Sequence, residues 1–199
     1  MGQVAIIDSG GANIASLLYA FKRLQVSAIL TTDVDVIQSS ERVLLPGVGA
    51  AKDAMTRLTN AGLVDVIRKL TQPVLGICLG MQLLCDGSEE ENVECLGIFP
   101  GTVRKLSSAD NFPVPNMGWC STRFTSDHQT LHGLEDGSYF YYLHSYALPV
   151  SDNTLAIANH AEEFSAVIGR GNFIAAQFHP ERSSTAGAQL LKNFLDLGT

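Results

Sequence analysis

In Val74-Leu75-Gly76-Ile77-Cys78-Leu79-Gly80-Met81-Gln82 a cysteine stands between two glycines, where an apolar run gives way to a helical period. Gly-x-Cys-x-Gly between strand and helix is the thiol form of a nucleophile elbow. Small flanking residues let the chain turn sharply and present the side chain at the sheet's edge. A sulfur at a helix N-terminus also meets free N–H groups that suit an anionic nucleophile. The same residues fit a buried core cysteine before an ordinary tight turn, because free cysteine is among the most buried residue types.

A thiol nucleophile needs a base, and the base needs a group to orient it. Phe173-Ile174-Ala175-Ala176-Gln177-Phe178-His179-Pro180-Glu181 reads as a buried strand ending at His179. Pro180 cannot extend a ladder, and Glu181 is placed to hold the imidazole in one tautomer. A structural His-Pro-Glu surface turn is the alternative. Of the other histidines, His128, His132 and His160 fall in polar segments and read as solvated, whereas His144 lies in an aromatic strand. Pro46-Gly47-Val48-Gly49 follows another apolar run, and its glycines let backbone N–H groups point at an anion, as an oxyanion hole requires. A plain strand-to-helix turn has the same composition.

The elements that must position these groups alternate in the first half, the pattern of a parallel sheet covered by helices. Val4–Asp8, Ala28–Thr31, Val43–Leu45 and Val74–Cys78 read as strands. Between them, Ile14, Leu17, Leu18, Phe21 and Leu24 recur at helical spacing behind a possible cap at Asn13. Val34–Ser39 is a short helix, and helical periodicity runs from Ala51 to Leu70 with an interruption possible at Gly62. From Gly97 onward the texture is β-like, with runs at Gly101–Leu106, Tyr139–Tyr146, Thr154–Ala158, Ser165–Gly169 and Phe173–Phe178, before a closing helix over Thr185–Leu195. The expectation is a single α/β domain over residues 1–199. It has a mostly parallel central sheet, flanking helices and a β-rich second half, with a site at the carboxyl ends of its strands.

Composition narrows the chemistry. The chain has 199 residues, 46% of them hydrophobic and only 17% charged, which excludes extended disorder. Thirteen Lys+Arg against 20 Asp+Glu give a net charge of −7, so neither nucleic acid nor an anionic membrane surface is an expected partner. Cys78, Cys85, Cys95 and Cys120 form no C-x-x-C pair and no histidine stands at a zinc-finger offset, so no metal site is expected. The beginning lacks a basic leader and no apolar run would span a bilayer, so the chain is read as cytosolic with reduced thiols.

The elbow Gly76–Gln82, the Phe178-His179-Pro180-Glu181 ending and the Pro46–Gly49 turn, in this order, resemble the class I (triad) glutamine amidotransferases. Within that family, the segments Asp8-Ser9-Gly10-Gly11-Ala12-Asn13, Asn116-Met117-Gly118-Trp119 and Tyr142-Leu143-His144-Ser145-Tyr146 resemble the glutaminase subunits serving imidazole glycerol phosphate synthesis in histidine formation. The chain departs from their usual pattern at Ala12, Asn116, Cys120 and Arg182.

The resemblance implies Cys78 as nucleophile, His179 as base and Glu181 as orienter, with Gly49 on the oxyanion turn. It implies a glutamine pocket lined by Gln82, His144, Ser145 and Tyr146. Asn13, Trp119, Tyr141 and Arg182 fall where the family docks on a (β/α)8 cyclase to form a heterodimer. No cofactor is implied. A glutaminase of anthranilate, guanylate or pyridoxal phosphate synthesis, a stand-alone thiol hydrolase, and a silent binding subunit remain as alternatives.

Overall fold

A computed structural model of the protein describes residues 3–10 and 14–198. The first half runs β1 (Val4–Ile7), α1 (Ile14–Arg23), β2 (Ala28–Thr31), α2 (Val34–Ser39), β3 (Arg42–Leu45), α3 (Ala51–Asn60), α4 (Val64–Arg68), β4 (Val74–Ile77) and α5 (Leu79–Leu83). The second half runs β5 (Cys85–Ser88), β6 (Val93–Glu94), β7 (Phe99–Lys105), β8 (Asn116–Phe124), β9 (Tyr139–His144) and β10 (Tyr146–Ala147). It continues through β11 (Thr154–His160), β12 (Glu162–Arg170), β13 (Phe173–Ala176) and α6 (Ser184–Asp196).

Among the described residues nine strands make one sheet in the order β2-β1-β3-β4-β13-β12-β11-β8-β9. The first five are parallel and the last four are joined antiparallel, so the β-rich second half extends the sheet laterally. Alternation along β1 builds two cores. Val4 and Ile6 join Leu17 and Phe21 of α1 and Leu190 and Phe194 of α6, while Ala5 and Ile7 join Ile37, Leu58 and Ile67. β1, β3, β4 and β13 are buried at every position, as parallel strands covered on both faces must be.

Local chemistry sets the breaks. The Asp33 carboxylate caps α2 by accepting from the N–H groups of Asp35 and Val36. The helical period over 51–70 divides at Gly62, whose φ of +68° ends one helix before α4 begins. The run expected over Tyr139–Tyr146 splits at Ser145: β9 stays on the large sheet, and β10 starts a small one of order β10-β7-β5-β6. His160, expected in solvent, is buried. Its Nε2 lies 2.7 Å from the Pro113 carbonyl oxygen and its ring stands edge-on to Phe112, so an aromatic cover and one backbone acceptor draw it inside.

Register assembles the site. Leu45 pairs with Gly76, and Ile77 pairs with Ala176, so the chain leaves β3, β4 and β13 at one edge of the sheet. Pro46–Gly49, Cys78 and His179 therefore emerge together, at the carboxyl ends of adjacent parallel strands.

Candidate active site

Cys78 sits between β4 and α5 with φ 53° and ψ −109°, a backbone state that costs a residue with a side chain about 1–3 kcal/mol. Its N–H donates to the Ala176 carbonyl at 2.8 Å, which pins the turn to the neighbouring strand. The flanking glycines are required by close approach. A Cβ on Gly80 would run into the Leu45 carbonyl oxygen, and one on Gly76 would lie 2.7 Å from Leu84 Cδ1. The elbow reading is met, and Cys78 is buried at its apex.

His179 Nδ1 lies 2.9 Å from Glu181 Oε1, with the two side chains 8% and 3% exposed. Glu181 Oε2 has no hydrogen-bond partner among the described residues. Burial alone would lower the proton affinity of His179. Hydrogen bonding to Cys78 and Glu181, with their charges, outweighs it and raises the pKa to about 10. Sulfur, imidazole and carboxylate thus form a coupled line that can pass a proton between sulfur and a substrate atom while the carboxylate holds the ring.

Cys78 and His179 open on a cavity of about 210 Å³. Gly49, Gln82, His144, Ser145 and Tyr146, all expected at a substrate pocket, line it together with Val48, Leu79, Leu143 and Glu90. The two glycines of the turn behave differently. A Cβ on Gly47 would lie 2.9 Å from Leu79 Cβ, so that residue is wedged against α5, whereas Gly49 has φ +94° and nothing within 4 Å of where its Cβ would be. Freedom to reorient a peptide belongs to Gly49.

Two of the lining residues have their polar atoms already engaged. Gln82 Nε2 donates to the Tyr146 carbonyl at 2.8 Å and to Gln177 Oε1 at 3.2 Å. His144 Nδ1 faces the same Tyr146 carbonyl at 2.9 Å, and a carbonyl only accepts, so Nδ1 carries the proton. Nε2 is then the acceptor for Asn116 Nδ2 at 3.1 Å. Burial drives the His144 pKa down to about 4 against the raising effect of the Tyr146 bond, so the ring is neutral. His144 is a fixed wall of the cavity.

The expected docking residues gather on one surface, except Asn13, which lies outside the described residues. Trp119 is 51% exposed and meets Tyr141 edge-on with centroids 6.1 Å apart, and Arg182 Cζ lies 4.2 Å above the Tyr141 ring. Met117 and Tyr139 also present their side chains to solvent from β8 and β9, and Leu143 joins this stripe to the cavity wall. A second cavity, about 60 Å³, shares Val48, Leu143 and His179 with the first and adds Glu181 and Arg182.

Three residues at the site were not singled out from sequence. Gln177, fully buried, donates from Nε2 to Cys78 Sγ at 3.8 Å. Its signal was present, a polar residue in an otherwise apolar strand two residues before the histidine. Glu90 lines the cavity and accepts from the Ala51 N–H at 2.9 Å, and nothing local to the acidic stretch 89–91 marks that role. Asn116, noted from sequence as part of a motif and as a departure from the usual pattern but given no site role, orients His144.

Residues 5–197 match the glutamine amidotransferase class-I family. The chain is 48% identical over 194 residues to imidazole glycerol phosphate synthase subunit HisH 2 of Legionella pneumophila (strain Paris), covering 98% of each. It is 45% identical over 200 residues to the HisH subunit of Vibrio cholerae serotype O1, again covering 98% of each. In fold it is similar to a glutamine amidotransferase of known crystal structure, with TM-score 0.76, 18% identity and coverage of 98% and 97%. It is likewise similar to PurLQS from Thermotoga maritima, with TM-score 0.72, 17% identity and coverage of 98% and 99%. An elbow thiol facing a carboxylate-held histidine, on a fold shared with these proteins and a sequence matched nearly end to end, leads to one conclusion: this chain belongs to the class-I glutamine amidotransferases.

Proposed function

We propose that residues 1–199 act as one glutaminase domain, the subunit that releases ammonia from L-glutamine for a (β/α)8 cyclase making imidazole glycerol phosphate in histidine biosynthesis. The observation that carries the chemistry is that Cys78 and His179, the latter held by Glu181 at 2.9 Å, share the wall of one cavity. The pathway rests on relatives named as HisH subunits that are 45–48% identical over 98% of this chain.

In this reading the proton shared by Cys78 and His179 lies on the imidazole, whose proton affinity is raised, and Sγ attacks the side-chain amide carbon of glutamine. Charge collects on the amide oxygen, where a peptide N–H at the Gly49 turn meets it; such a donor is worth on the order of 10² to 10³ in rate. The tetrahedral adduct collapses, the C–N bond breaks, and His179 returns its proton to the departing nitrogen, releasing ammonia and leaving a γ-glutamyl thioester on Cys78. Water then attacks the thioester while His179 takes its proton, the C–S bond breaks, and glutamate leaves with the shared proton again on the imidazole. No step calls for a cofactor.

The surface stripe of exposed Met117, Trp119 and Tyr139, with half-buried Tyr141 and exposed Arg182, suits a partner surface, being aromatic and carrying an arginine. The second cavity has both His179 and Arg182 in its walls, which offers ammonia a way from the site toward that surface. Among the described residues no helix is long and apolar enough to cross a membrane, in keeping with a cytosolic synthase. Co-purification tests the proposal: the tagged chain should bring down a (β/α)8 cyclase, and the complex should turn glutamine into glutamate. A complex inert toward glutamine, or acceleration only by a substrate of anthranilate, guanylate or pyridoxal phosphate synthesis, would move the chain to another function.

A further inference from the structure

The buried amides beside the nucleophile have a determinate direction. The Tyr146 carbonyl oxygen can only accept, so the Gln82 group 2.8 Å from it is the –NH2. The second hydrogen of that –NH2 is spent on the group 3.2 Å away at Gln177, which must therefore be its oxygen. Gln177 is then obliged to turn its own –NH2 to Cys78 Sγ, at 3.8 Å. His144 Nδ1 donates to the same Tyr146 oxygen at 2.9 Å and helps to hold that carbonyl. Gln177 is fully buried, so its amide has no water as an alternative partner.

We propose that Gln177 is a further catalytic residue, donating an N–H to the Cys78 sulfur, and that Gln82 is a positioning residue that fixes which end of Gln177 faces it. Whenever the proton sits on sulfur, the S–H has an acceptor in the Leu143 carbonyl at 3.6 Å. Once the proton moves to His179, that carbonyl confronts a negative sulfur, and the Gln177 N–H is the side-chain amide donor turned toward it. A hydrogen bond to an ionised partner is about twice as strong as a neutral one, so the contact gains strength when the thiolate forms. It therefore favours the ionised, nucleophilic form of the sulfur over the thiol. Gln82, expected from sequence to hold substrate, has both amide hydrogens committed to this relay.

The inference deepens the glutaminase reading, but its main test needs no turnover. The second-order rate of Cys78 alkylation by iodoacetamide at neutral pH, followed by peptide mass, should fall about tenfold in Gln177→Leu, the loss expected for one charge-assisted hydrogen bond. Gln82→Glu should lose more than Gln82→Met. A carboxylate has no hydrogen to give, so it reverses the Gln177 amide and presents Oε1 to the sulfur, while Met merely releases it. In glutamine hydrolysis the Gln177→Leu change should lower kcat and leave KM within about twofold, since the contact is to the sulfur and not to glutamine.

A measurement on the wild-type chain needs no variant: the Gln177 side-chain amide proton signals should shift when Cys78 is alkylated. Wild-type alkylation rates in folded Gln177→Leu and Gln82→Glu, or amide signals unmoved by alkylation, overturn the relay. A wild-type chain that never hydrolyses glutamine overturns the glutaminase reading and leaves the alkylation result standing.

Discussion

The backbone N–H of His179 donates to the carbonyl oxygen of Tyr141 at 2.9 Å. Tyr141 in turn donates its N–H to Ser183 Oγ at 2.9 Å, and that hydroxyl donates to the His179 carbonyl at 2.7 Å. The edge strand β9 is thereby laced to the turn that carries the imidazole. The Tyr141 ring lies on the outer surface between Trp119 and Arg182. A partner pressing on that ring acts on the backbone that holds the base.

Tyr141→Ala should therefore weaken cyclase binding at least tenfold, the usual scale for a buried aromatic anchor of an interface. Isothermal titration of the two purified proteins reads this directly. Equal affinity for wild type and variant would remove Tyr141 from the docking surface.

His179 and Glu181 should fail to different degrees. The imidazole moves protons, whereas the carboxylate orients it and stabilises its charged form. His179→Asn should leave almost no glutamine hydrolysis and Glu181→Gln a measurable residue. Steady-state rates of the two variants in the complex check the ranking, and equal inactivity, or an active His179→Asn, contradicts it.

The raised His179 pKa links stability to pH. The folded value of about 10 exceeds the ordinary 6.5, so the native state holds the proton more tightly than the unfolded chain does. The resulting stabilisation is complete below about pH 6.5 and fades as pH rises toward 10. Denaturant midpoints should then fall between about pH 7 and pH 10 more steeply in wild type than in His179→Asn. Parallel curves would mean that the imidazole is not paired as described.

The isolated chain should hydrolyse glutamine slowly and be accelerated by the cyclase together with its ribonucleotide substrate. Gly49, at φ +94° with open space around it, can hold its peptide in either orientation at little steric cost. Contacts made only in the complex can bias that choice. Full activity from the chain alone, unchanged by both additions, would refute gating and favour a stand-alone thiol hydrolase.

Much of this was legible because apolar runs ending at glycine turns mark parallel strands and their carboxyl ends, and Cys78 and His179 each close one. β8 was not, because its pattern is inverted. Asn116 and Thr122 point inward while Met117 and Trp119 face out, so alternation of residue type no longer tracks burial. The Gln82–Gln177 pair was hidden for another reason: 95 positions separate two amides that meet only through the register of β4 with β13. Gly47 and Gly49 looked alike as letters, and only the packing of Leu79 against the first tells them apart.

The most direct measurement is glutamine hydrolysis by Cys78→Ala in the cyclase complex, paired with labelling of the wild-type chain by an electrophilic glutamine analogue. Burial raises the proton affinity of the other three thiols, to about 11 for Cys95, and leaves them poor nucleophiles. The expected result is loss of essentially all turnover with the fold retained, and label on Cys78 alone. Near-normal turnover by the variant, with label on Cys85, Cys95 or Cys120, would contradict the account.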